Sequence, residues 1–243
     1  MKRGQISVFV ILGIVLVVGI VLFFSFKDKE LSEADIEVRP IYNFLENCIE
    51  KEAGDGVVYL AETGGYYNVP EKSYLGIPYY FYEGKNVIPS KEFIEGQLSD
   101  YVNNGLPHCI VDIREFDDFN IEGGEISSKV KIENDKVIFK VNLPVSITKD
   151  EETYNFENFE VEIPARMGTI HNAISEYMIE QEKDPVNVCV SCLYDIGIKY
   201  DLDTNVLSSD TEGDLMFIVS DSVNKIDNQN YQYYYIVQLE DGE

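Results

Sequence analysis

One segment constrains this chain more than any other. Val8 to Phe26 reads VFVILGIVLVVGIVLFFSF, 19 residues whose one hydroxyl is Ser25. A helix of a water-exposed domain keeps a polar stripe, and this run has none. At 1.5 Å per residue, Gln5 to Phe26 spans the ~30 Å hydrocarbon core of a bilayer. Residues 5–26 are therefore expected to form a transmembrane helix in contact with membrane lipid. Gly13 and Gly19 are six apart, fall on different helix faces and make no GxxxG pairing motif.

The flanks orient the span. Lys2 and Arg3 precede it, whereas Lys27 and Lys29 after it are balanced by Asp28 and Glu30. The positive-inside bias puts the amino terminus in the cytoplasm and the rest outside. The chain carries −25 in total, and residues 27–243 hold 17 Lys and Arg against 44 Asp and Glu. So acidic a surface excludes a nucleic-acid partner, whose phosphates need basic side chains. With 45% hydrophobic residues, the exposed part can still bury a core.

The residues before the span are Lys2-Arg3-Gly4-Gln5-Ile6-Ser7. This basic-Gly-Gln-x-Ser run against a long apolar segment resembles the class III signal peptide of archaeal type IV pilin-like proteins. The resemblance covers about the first 26 residues. It implies cleavage between Gly4 and Gln5 by a membrane-embedded prepilin peptidase, with the apolar helix retained. It also implies pilin-like subunits or other surface proteins as candidate partners. Phe9 stands where the family usually carries Glu. That departure points to a minor subunit or a protein that stays in the membrane, rather than a major filament subunit.

The expected organisation is a cytoplasmic stub at 1–4, the span at 5–26, a charged linker at 27–39 and an acidic extracytoplasmic domain at 40–243. Pro40 suits the first turn of a new helix, along which Ile41, Leu45, Cys48 and Ile49 recur at helical spacing. Gly54 and Gly56 mark its end, or a short interruption before Val57–Ala61. Ile77–Tyr82 reads as a strand and Glu83-Gly84-Lys85-Asn86 as a turn. Ser90 caps a helix burying Ile94, Leu98, Tyr101 and Val102, which Gly105 and Pro107 end. Lys129–Glu133, Val137–Leu143, Val145–Lys149 and Phe156–Ile163 predict an antiparallel meander. A helix follows with Met167, Ile170, Ile174, Tyr177 and Met178 on one face. Asp184-Pro185 starts another, burying Val188, Cys192, Leu193 and Ile196, and Leu215–Val219 and Tyr231–Leu239 close the chain as strands. The fold class is α+β: a transmembrane helix, then a mixed, mainly antiparallel domain.

Cys48, Cys109, Cys189 and Cys192 form an even set in an exported domain, which favours disulfides. Cys48–Cys109 is the expected staple, with Cys189 and Cys192 bonded to each other or left as thiols. The CxxC at a helix start also admits a thioredoxin-like reading, and the four sulfurs, with His108 as a substitute, admit a zinc site. Neither is favoured, because no second CxxC exists and no matching strand precedes the first. Asp201, Asp203, Asn205 and Glu212 match an EF-hand loop in part, but Val206 occupies the position that needs Gly. Ser128 and Lys131 match S-x-x-K in letters only. His108 and His171 are isolated. Tyr66, Tyr67, Tyr74, Tyr79, Tyr80 and Tyr82 offer either a recognition surface or ordinary strand packing. No catalytic residue, metal site or cofactor is expected. The functional expectation is a membrane-anchored, pilin-like cell-surface protein with a structural, adhesive or recognition role. The alternative is a membrane-tethered enzyme or ligand-binding receptor.

Overall fold

A computed structural model describes residues 33–113, 116, 118–211, 213–226 and 229–240. The expected span, the processing residues Gly4 and Gln5, and linker residues 27–32 lie outside the described residues. Helix α1 runs over Glu33–Glu62 with Pro40 inside it. Pro40 therefore does not open a new helix as its ring chemistry suggested; the helix is already under way at Glu33. Pro40 forgoes one backbone hydrogen bond to the carbonyl four residues back. Gly54 and Gly56 do not end α1 either. The apolar stripe Ile41, Leu45, Ile49, Ala53, Val57 and Leu60 is fully buried across them, and that burial outweighs the roughly 1 kcal/mol each glycine costs.

From Ile41 the chain builds two sheets. The larger contains β1 (Ser73–Tyr74), β2 (Ile77–Tyr82), β3 (Lys85–Asn86), β8 (Asp203–Ser208), β9 (Asp214–Ile226) and β10 (Gln229–Gln238). Its order is β1-β2-β10-β9-β8, with β3 also on β2, and β2–β10 is its parallel pair. Glu83 and Gly84, at φ 51° and 69°, make the two-residue β2–β3 hairpin turn. Two left-handed residues match the twist of the strands they join.

The smaller sheet contains β4 (Asn120–Gly123), β5 (Ser127–Ile132), β6 (Val137–Lys149) and β7 (Glu152–Ile163). β5, β6 and β7 form the expected antiparallel meander. The two strands expected on either side of Pro144 are one. Odd positions from Val137 to Ile147 are all buried without interruption, and the register against β7 shifts between Asn142 and Val145. Such an irregularity is where a strand tolerates a residue with no N–H.

Three further helices pack on these layers. Helix α2 (Lys91–Gly105) starts at Ser90, whose hydroxyl accepts from Phe93 N, and it buries Ile94, Leu98 and Val102. Tyr101 is half-buried, not fully buried as expected. Helix α3 (Pro107–Ile113) carries Cys109, which is bonded to Cys48 of α1 with Cα atoms 6.0 Å apart. Helix α4 (Met167–Gln181) buries all five expected stripe residues.

The core is rich in tyrosine. Tyr80, Tyr233, Tyr235 and Phe217 are fully buried, and the rings of Tyr80, Tyr235 and Phe217 stack at 5.1 and 5.0 Å. Two of the hydroxyls are paired: Tyr80 donates to Gly64 O at 2.9 Å and meets the Tyr233 hydroxyl at 2.7 Å. Burial of each such ring contributes about 1.5–3 kcal/mol.

Candidate functional site

The last helix, α5 (Val190–Tyr200), begins five residues later than Asp184-Pro185 suggested. Asp184 instead closes a loop: its Oδ1 accepts from Asn187 N at 3.2 Å. The buried Gln181 amide holds that loop by donating to Asp184 O at 2.8 Å and Asn187 O at 3.1 Å. Cys189 is the N-cap, its Sγ accepting from Cys192 N at 3.3 Å. Cys189 and Cys192 are bonded to each other.

The other end of α5 is tied down more heavily. Arg166 Nη2 donates to Tyr200 O at 2.5 Å, while Nη1 donates to Asp201 O at 3.3 Å and Asp221 Oδ1 at 3.0 Å. Lys199 Nζ and the Tyr200 hydroxyl both reach Glu176 Oε2, at 2.6 and 2.9 Å. These two donors hold the Glu176 carboxyl below its ordinary pKa, Lys199 contributing most. Asp201, at φ 53°, turns the chain from α5 into β8. Leu202 N then donates back to Gly197 O at 3.0 Å. A Cβ at Gly197 would stand 2.9 Å from Leu202 O, so helix and strand approach this closely only over glycine.

These ties fix a helix that buries none of its own residues. An isolated helix of this length is marginal in water, so its order comes from these anchors together with its half-buried face. Cys192, Leu193 and Ile196 were expected to be buried, and they are half-buried. On another face Val190, Tyr194 and Ile198 are 71%, 69% and 65% exposed, a stripe repeating every four residues. Between that stripe and β8 lies a cleft of about 760 Å³, lined by Val188, Val190, Leu193, Tyr194, Ile198, Leu202, Thr204 and Val206. Asp201 and Asp203 also line it, and none of its described lining residues is basic. β8 is the end strand of its sheet.

The remaining candidates fall elsewhere. The zinc reading fails because all four sulfurs are committed to disulfides, leaving no thiolate. His108 is exposed on α3. The EF-hand loop does not form: Asp203 and Asn205 lie in β8, paired with Ser220 and Ile218. Extended backbone cannot wrap ligands around an ion, and Glu212 lies outside the described residues. Ser128 and Lys131 occupy opposite faces of β5, Ser128 bonded to Ser99 and Lys131 paired with Glu95. His171 is buried against Pro89 O at 2.8 Å, and burial lowers its pKa from 6.5. Of the six tyrosines singled out, Tyr80 is buried and Tyr66, Tyr67, Tyr74, Tyr79 and Tyr82 are half-buried, so packing takes up much of the cluster.

Sequence reasoning missed the cleft, although a signal for it existed. Val190, Tyr194 and Ile198 form a second apolar stripe beside Cys192, Leu193 and Ile196. One short helix at the end of a sheet cannot bury both. The chain matches no protein-family model, no curated protein and no solved structure. Chemically, the cleft offers apolar contact and two carboxylates. Cys189 and Cys192, at the start of α5, are joined to each other and supply no nucleophile.

Proposed function

We propose that the chain is a single-pass, pilin-like archaeal cell-surface protein whose acidic head serves recognition, adhesion or assembly, not catalysis. The observation that carries this reading is the apolar run Val8–Phe26 directly behind Lys2-Arg3-Gly4-Gln5. A prepilin peptidase would cut between Gly4 and Gln5, leaving residues 5–26 in the lipid. Two disulfides support an oxidising location, since such bonds are rare in the cytosol. The charge of the exposed part then keeps neighbouring heads soluble and apart.

The cleft favours recognition over a purely structural role. It also gives some weight to a tethered ligand-binding receptor, because about 760 Å³ lies within the range of small-molecule sites. The test is protease added to intact cells. Digestion of the head, with a protected fragment near the amino terminus, is the expected result. A head that stays resistant until the cells are lysed would overturn the topology.

A further inference from the structure

We propose that the cleft between α5 and β8 docks a cationic, amphipathic polypeptide segment of a partner protein. This names the partner class for the recognition role above and rests on that role, but not on the membrane anchor. Three observations converge. Val190, Tyr194 and Ile198 are the most exposed large apolar side chains of their helix and form one stripe. Contiguous exposure of this kind marks interaction surfaces. Next, among the described residues β8 pairs with β9 on one side and with nothing on the other. Its free edge offers N–H and C=O groups to an added extended segment. Finally, the rim is acidic. Asp195, Asp201 and Asp203 are exposed around the stripe, while the nearby cations Lys199 and Arg166 are spent on Glu176 and Asp221.

Charge decides between occupants. A second copy would bring its own −25 to an acidic rim and be repelled. A segment with apolar side chains on one face and Lys or Arg on the other fills the cleft and neutralises the rim. The disulfide at the N-cap and the Arg166 ties at the far end hold α5 in place beforehand, so docking spends little free energy on ordering the helix.

The probe is a fluorescent peptide of about eight alternating Lys and Val residues, matched to the length of a typical strand. It is titrated by anisotropy against the full chain in phosphatidylcholine nanodiscs. Saturable binding is expected, weakened at least about tenfold by Y194S/I198S and by D201N/D203N. All four side chains are exposed, and Asn tolerates the left-handed backbone at Asp201, so both variants should fold; near-ultraviolet circular dichroism checks this. A Lys–Ser peptide of equal charge should bind at least tenfold more weakly. Equal binding of the Lys–Ser peptide, unchanged binding by either variant, or no binding of the Lys–Val peptide would overturn the proposal. So would self-association that I198S abolishes, since the occupant would then be a second copy. Release of the chain from carbonate-washed membranes would refute the anchor while leaving the peptide result as it stands, so the two failures are distinguishable.

Discussion

Replacing Arg166 by Met removes the cation that joins α4, α5 and β9. Asp221 is fully buried and Arg166 is 16% exposed, with Nη1 and Oδ1 3.0 Å apart. Removing one partner of a buried pair costs about 3–5 kcal/mol, because the other charge is stranded. Asp221 Oδ1 keeps Val223 N at 2.9 Å and Asn224 N at 3.4 Å, whereas Oδ2 has no partner. The two retained donors, with some water access along the Arg166 side, place the loss near the lower limit, about 3 kcal/mol. For a domain of this size that is a drop of about 6–12 °C in melting temperature. The assay is a thermal melt of the full chain in detergent, followed in the near ultraviolet, where its 17 tyrosines report packing. Adding Asp221→Asn to R166M should return at least about 1.5 kcal/mol, since the stranded charge is gone. A loss under about 1 kcal/mol in R166M, or additive losses in the double variant, would refute the reasoning.

Gly56→Ala should cost about 1–3 kcal/mol in urea unfolding, because its Cβ would stand 2.8 Å from Tyr101 Cδ1. Gly54→Ala, with nothing within 4 Å, should instead gain about 0.5–1 kcal/mol. Cys48→Ser opens a staple between residues 61 apart and should cost about 4 kcal/mol. The pair three apart at Cys189 and Cys192 is worth less, and rising reductant should let alkylating reagent reach it first, because Cys109 is fully buried. Burial raises the phenol pKa of Tyr80, Tyr231 and Tyr235 well above 10. The folded chain thus keeps protons that the unfolded chain loses, and the stabilisation from these groups is complete below pH 10 and falls as pH rises beyond it. Absorbance at alkaline pH should show these tyrosines ionising only with unfolding; ionisation in the intact fold would refute their burial.

Where burial follows a simple period, the fold was legible. Met167, Ile170, Ile174, Tyr177 and Met178 lie on one helical face. Val137 to Ile147 alternates so strictly that even Pro144 did not split the strand. Punctuating residues misled when packing outweighed them. Pro40, Gly54 and Gly56 all sit inside α1, whose apolar stripe is long enough to absorb local costs. β8 was hidden because Asp203, Thr204 and Asn205 have loop-like chemistry and gain a strand only by pairing with β9. The cleft was hidden for a different reason. Helical periodicity shows that an apolar stripe exists, but not which of two stripes finds a neighbour. Cys192 and Leu193 are half-buried on α5, whereas Tyr194 and Ile198 stay exposed.

The anchored, processed amino terminus is the central claim, and amino-terminal sequencing of the chain from alkaline-washed membranes tests it most directly. A membrane-retained chain beginning at Gln5 is the predicted result. A chain beginning at Met1, or one recovered entirely in the wash, would contradict it.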